Sequence, residues 1–284
     1  VFDLHVHTGP DLVERRLDDM EAVAAYQAAG YTGCVFKNHN EPTGGRAAMV
    51  RKHTGFAAYG SVVLNRPAGG LNPAAVEAEL RLDARVVWMP TEDAVLHYAF
   101  GLPRGLSVGS DGHLSGGGGR TGPGIGYGIP PVRPESEAAI REILGLIADA
   151  DAVLATGHLG GAECAWLLRQ AKRYGITRTL LTHPSYSVPA LSPAEIGELA
   201  DLGTMVEITA VQLIVQPGMT AARLAQVAAA AGDRLVLSSD AGQVRMPFPP
   251  EAITRLIEAL AAEGVDRGLL NAAASTIPAR LVTA

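Results

Sequence analysis

Residues 1–11 read VFDLHVHTGPD, an apolar run broken by His5 and His7 and closed by a turn at Gly9-Pro10. In a strand, side chains at i and i+2 point to one face, with Cα atoms about 6.5 Å apart. The two imidazoles therefore converge, and neutral imidazole is among the commonest ligands of divalent metals. A pair of core histidines bonded to backbone carbonyls is the other reading of the same residues. The rest of the chain decides between them: what matters is whether apolar strands keep ending on chemistry-bearing side chains.

Seven further short β-branched runs follow residues 2–7, at 33–38, 58–64, 85–90, 152–157, 178–182, 204–208 and 234–239. Segments of helical period lie between and after them, at 18–29, 73–81, 135–149, 161–174, 192–202, 220–231, 249–263 and 267–274. Start signals support several of these, as in SPAEIGEL, where Ser192 suits the cap and Pro193 the first turn. Alternating strand and helix predicts a parallel sheet. Eight repeats predict an α/β fold closed as a (β/α)8 TIM-type barrel, residues 1–284 forming a single domain. The first strand–helix turn lacks G-x-G-x-x-G, which argues against an open dinucleotide-binding sheet.

The bulk properties agree. At 284 residues and 48% hydrophobic, the chain is long enough for one large barrel core. A net charge of −6 without charge blocks points away from nucleic acid and from membrane surfaces. No apolar run reaches about 18 residues, so no transmembrane helix is expected. Two cysteines, Cys34 and Cys164, are too few for a disulfide framework and suit a reducing compartment, which predicts a cytoplasmic protein. The chain begins at Val1 rather than at a methionine and leaves residues upstream open.

Residues 92–134 break the rhythm between the fourth and fifth strands. An insertion of this length is commonly a lid or binding loop, and after a strand it would lie over the C-terminal mouth, where such barrels keep their chemistry. Within it GIGYGIPPV predicts a small hairpin, and SGGGGRTGPG a mobile stretch.

Placed on these strands, the polar residues fall into a ring. His5 and His7 lie on strand one, His39 just past strand two, His158 after strand five, His183 after strand six and Asp240 after strand eight. The remaining histidines, His53, His97 and His113, fall in helices or loops. Strand ends of a barrel meet around its axis, so residues far apart in sequence become neighbours.

This ordered set resembles the amidohydrolase superfamily of metal-dependent hydrolases over essentially the whole chain. The resemblance rests on HVH in strand one, the single histidines 158 and 183, and SSDA carrying Asp240. The tail STIPARLV is similar to the family's Asn-Pro-Ala helix start, with Ile277 where Asn is usual. It implies a divalent ion, zinc first and Mn or Fe as alternatives, with His5, His7, His158, His183 and Asp240 as ligands. Asp240 would also move the proton, as base toward water and acid toward the leaving group. One departure stands out: strand four ends VVWMPTED, without the bridging lysine that two-metal members carboxylate. Lys37, on strand two, shares a face with Val35 and His39 by parity. It is read as a carboxylated metal ligand, an anchor for an anionic substrate, or a lysine snorkelling at the rim; one ion or two therefore stays open.

Substrate contacts are expected from His39, Arg66, Thr91, Tyr186 and Glu207, Glu207 being alternatively, with Asp3, a partner orienting the ligand rings. Asp11 and Arg15, four apart, read as a helical ion pair. The expected reaction is hydrolysis of a C–N or C–O bond of a small molecule (amide, lactam, lactone or ester), with a homo-oligomer left open. A polymerase-and-histidinol-phosphatase-like phosphoesterase is the runner-up, on DLHVHTG and KNHN, although Asn38 and Gly242 depart from that pattern. A non-hydrolytic decarboxylase or isomerase of the amidohydrolase type, and a metal-binding protein without catalysis, are the remaining readings.

Overall fold

The computed structural model describes residues 1–101, 106–108, 114–116 and 126–283. Among the described residues there are ten strands: β1 (Phe2–His7), β2 (Gly33–Lys37), β3 (Ala57–Val63), β4 (Ala84–Trp88), β5 (Leu106–Val108), β6 (Leu114–Gly116), β7 (Val153–Ala155), β8 (Thr179–Leu181), β9 (Met205–Thr209) and β10 (Leu235–Ser238). Eight of them form one sheet in the order β1-β2-β3-β4-β7-β8-β9-β10, every hydrogen-bonded pair parallel. The residues just past β10 return to β1. Asp240 N–H donates to the His5 carbonyl at 2.7 Å and His7 N–H to the Ala241 carbonyl at 2.8 Å. Those bonds bring the two edges together as a (β/α)8 barrel.

The helices α1 (Asp19–Ala28), α3 (Pro73–Arg81), α5 (Glu137–Asp149), α6 (Gly161–Arg173), α7 (Pro193–Ala200), α9 (Ala221–Ala231), α10 (Pro249–Ala262) and α11 (Arg267–Ala273) match the eight segments read from periodicity. Four more appear: α2 (Gly44–Thr54), α4 (Val95–Ala99), α8 (Ala210–Val215) and α12 (Thr276–Thr283). The sequence hides α2 because its start is Gly44-Gly45, a poor helix former, and its contact with the sheet is glycine on glycine. A Cβ on Gly60 would stand 2.4 Å from the Gly44 Cα. The helix start is held instead by the buried Glu79 carboxylate, which accepts the Gly44 N–H at 2.7 Å.

Strand parity sorts the side chains into two apolar layers. Cys34, Phe36, Val62, Val87, Leu154, Leu181, Val206 and Leu237 face the helices. Phe2, Leu4, Val35, Val63, Val86, Trp88, Val153, Leu180 and Val236 fill the barrel interior, where Val282 of α12 joins them. Above that floor, toward the C-terminal ends, the buried side chains turn polar: His5, His7, Lys37, Glu207 and Ser238. The β1 register shifts between Asp3 and Val6. A bulge of this kind reverses the alternation locally. It lets Leu4 and His5 both face inward and sends Asp3 outward to Tyr26 of α1, whose hydroxyl donates to it at 2.5 Å.

Most of the insertion's central part, including His113 and all of SGGGGRTGPG after Gly116, lies outside the described residues, and the lid reading with it. Antiparallel pairing occurs between β5 and β6, outside the stretch expected as a hairpin. In the described part of that stretch, Tyr127 pairs with Ala94 as a parallel bridge. No helix among the described residues is long and apolar enough to cross a membrane.

Candidate metal centre

At the C-terminal mouth, His5 Nε2 and His7 Nε2 stand 3.0 and 3.2 Å from the same oxygen, Asp240 Oδ1. These three residues, all buried, are the group among the described residues whose donor atoms could share an ion. Two ligands of a tetrahedral ion at about 2.1 Å stand about 3.4 Å apart, so the spacing fits. The donor set of two imidazoles and a carboxylate suits zinc and its neighbours.

Backbone geometry aims these groups. Asp240 and His183 both have positive φ, +51° and +25°, rare for residues other than glycine. Gly242, at φ +146°, lies against β1, and a Cβ there would stand 2.1 Å from the His7 carbonyl oxygen. Gly157 is equally confined: at φ +58° a Cβ would stand 2.3 Å from the Met89 carbonyl oxygen. Its N–H is received by the Thr182 hydroxyl at 2.9 Å, and the next residue is His158.

Glu207 acts from behind the centre. Its Oε1 faces His5 Nδ1 at 3.0 Å and accepts the Ser238 hydroxyl at 2.8 Å, while Oε2 accepts the His183 N–H at 3.1 Å. A carboxylate on Nδ1 holds the proton there and leaves Nε2 as the lone-pair nitrogen facing Asp240. Asp3, the other candidate for that task, touches no imidazole nitrogen. It accepts the backbone N–H groups of His5 and Ser239 and so ties β1 to the end of β10.

Lys37 reaches the same spot from β2. It is buried, its Nζ 2.9 Å from His5 Nε2 and 4.4 Å from the centroid of the Trp88 ring. Burial lowers its pKa against the pull of Asp240 and Glu207. The rim-snorkelling reading fails for this reason: the amine is inside. Burial alone would raise Asp240, but His5 and His7 hold it well below the usual carboxylate range. For His5 the balance goes the other way, since Asp240 and Glu207 overcome burial and Lys37 and raise it. Burial takes His7 down to about 3, with Arg15 adding to the effect, and His183 down to about 4.

The centre opens into a cavity whose lining includes His7, Lys37, His39, His158, His183 and Asp240. His183 Nδ1 is buried there without a hydrogen-bond partner. Its ring lies 5.9 Å from that of His5 and 5.2 Å from that of His158. His158 turns Nδ1 toward His97 Nδ1 at 3.0 Å, and its donor atoms lie outside the three-residue group. Tyr186 lines the cavity beside His183. Thr91 is fully buried behind His39, 2.9 Å from its Nδ1. Glu207, likewise, does not line the cavity.

Arg66 is displaced from its expected place. Its side chain is exposed on a short turn, where its backbone N–H donates to the Asp93 carboxylate and its carbonyl accepts the Gly69 N–H. The arginine that does line the cavity is Arg15, whose guanidinium is 3.5 Å from His7 Nδ1 and paired with Asp11 at 2.6 Å. The pair forms as the spacing suggests, but in a loop rather than a helix. Sequence reading also missed His97 and Glu92, which line the cavity from the start of the insertion. The TED after strand four carried a signal for Glu92; nothing local marks His97.

A comparison with curated proteins gives no match. Among solved structures, an amidohydrolase from Pseudomonas aeruginosa is 15% identical, covering 99% of this chain and 95% of that one at a TM-score of 0.58. A mutant organophosphorus hydrolase from Deinococcus radiodurans is 14% identical, with 99% and 92% covered at 0.61. A 2,6-dihydroxybenzoate decarboxylase complexed with 2,6-dihydroxybenzoate is 12% identical, with 100% and 98% covered at 0.53. At these identities the likeness is one of fold, a (β/α)8 barrel. Residues 1–207 match the family described as a family of unknown function, DUF6282, and the chain belongs to that family.

Proposed function

We propose that the protein is a metal-dependent hydrolase that cleaves a C–N or C–O bond of a small molecule, an amide, lactam, lactone or ester. The observation that carries this reading is the convergence of His5 Nε2 and His7 Nε2 on one oxygen of Asp240 at the barrel mouth. In it His5, His7 and Asp240 hold a divalent ion, zinc in preference to Mn or Fe. His183, with its unpartnered Nδ1, and His158 complete the surroundings, and Lys37 is the added ligand if a second ion is held. When bound there, such an ion would supply a water whose pKa is lowered toward about 7 and would polarise the scissile group.

The chain's own residues do the rest. Asp240 takes the proton of the attacking water and returns it to the leaving group. Glu207 holds His5 in the tautomer that frees Nε2. His39 and Tyr186 contact substrate, with Thr91 supporting His39, and Arg15 rather than Arg66 is the guanidinium available to an anionic group. The two free, buried thiols suit a reducing, cytoplasmic setting.

Metal analysis of the wild type, His5→Ala and His183→Ala, with a screen of lactones and amides, is the test. Both variants should lose metal and turnover; metal content and activity undiminished in both would refute the proposal. Decarboxylation is a second reading, favoured by the fold shared with a decarboxylase. Product masses separate the two, through gain of water or loss of carbon dioxide.

A further inference from the structure

The hydrogen bonds behind His39 settle more than its position. Asn65 Oδ1 accepts the backbone N–H of Thr91 at 2.9 Å and of Asp93 at 3.3 Å. Its Nδ2 therefore faces the other way, donating to the His39 carbonyl at 3.1 Å and to Thr91 Oγ1 at 2.8 Å. Reversing the amide would set Nδ2 against two N–H donors and Oδ1 against a carbonyl oxygen, so its orientation is fixed. The Thr91 hydroxyl then already accepts one bond and has a proton to give. Among the described residues the acceptor within its reach is His39 Nδ1, at 2.9 Å. The opposite tautomer would leave a buried hydroxyl proton with no acceptor, which is unfavourable. A ring that accepts at Nδ1 carries its proton on Nε2. That nitrogen faces the cavity, 3.8 Å from Glu92 Oε1, and the His7 ring stacked on His39 at 4.7 Å holds the plane.

We infer that Asn65 and Thr91 are positioning residues that lock His39 as an Nε2–H donor, and that the substrate presents an acceptor oxygen to it. This excludes His39 as a ligand of a second ion, because a protonated nitrogen has no lone pair to give. It makes His39 a selector for substrates carrying a carbonyl or carboxylate oxygen beside the scissile bond. The substrate half rests on the mouth being the catalytic site proposed above. The tautomer half does not.

Nitrogen-15 NMR of the full-length protein with labelled histidine distinguishes protonated from unprotonated ring nitrogens. It is run metal-free and again with zinc added, the His39 signals being identified by their loss in His39→Gln. The expected pattern is protonated Nε2 and bare Nδ1 in both states, kept in Thr91→Ser and replaced by a tautomer mixture in Thr91→Val. Acetate, as a carboxylate probe, or acetamide, as a neutral carbonyl probe, should shift the Nε2–H signal of the wild type. Nδ1 found protonated, or His39 Nε2 shown bound to zinc, would overturn the assignment. A His39 signal unmoved by either probe would overturn the substrate half. Failure of zinc to bind at all would count against the proposed hydrolase while leaving the tautomer result standing.

Discussion

Glu207 carries more of the centre than its place among the expected substrate contacts suggested. One carboxylate fixes the proton on His5, receives Ser238 and holds the backbone of His183. Changing it to Gln keeps size and shape but removes the charge that holds the Nδ1 proton. Removing such an outer partner typically costs about 10–100-fold in metal affinity. Glu207→Gln should therefore bind zinc that much more weakly in competition with a chelator, with an unchanged circular dichroism spectrum. Affinity equal to wild type would remove Glu207 from the centre. Asp240→Asn has a different signature. It should lower kcat by about 10²–10⁴-fold, and kcat within a few-fold of wild type would exclude Asp240 as the proton carrier.

Individual elements place these residues through local breaks in regularity. The bulge in β1 turns Asp3 outward and His5 inward, the tight end of β10 gives Asp240 its positive φ, and Gly242 lets that end lie on β1. Gly242→Ala puts a Cβ into the His7 carbonyl, where neither backbone can yield without opening the barrel seam. Strain at such positions costs about 1–3 kcal/mol before any clash is counted. The variant should melt at least several degrees lower and lose metal as His7 is displaced; wild-type Tm and metal content would show the seam to be tolerant. Helix α2 gives the complementary lesson. Its inner face is Gly44, Ala47 and Val50, a stripe too small to announce itself, and its start depends on Glu79 from α3.

At the scale of the whole molecule, closing the barrel buries a cluster of titratable groups that the unfolded chain leaves in water. In the metal-free protein burial holds His7 at about 3 and His183 at about 4, and with cationic neighbours keeps His39 and His158 well below the usual histidine range. The unfolded chain takes up protons on these rings near pH 6.5 and the folded chain does not, so stability falls as pH drops from about 6.5 toward about 4. Each pKa unit of depression is worth about 1.4 kcal/mol. His5, whose pKa is raised, works in the opposite sense, one ring against four. Urea midpoints of the metal-free protein should decrease steadily across that window. A flat profile would mean the rings are not buried neutral in the folded state.

The sequence by itself determined the alternation of elements, the eight barrel strands and the set His5, His7, His158, His183 and Asp240 at their ends. These features depend on side-chain period and order along the chain, which a linear string preserves. Lys37 was legible too, because parity along β2 carries it inward with Val35. Only the tertiary structure decided that Asp3 serves the seam and Glu207 the His5 ring, that Arg15 rather than Arg66 reaches the mouth, and that His97 meets His158. Each of those depends on a bulge, a loop path or a contact between strands distant in sequence, and no spacing rule encodes such long-range geometry.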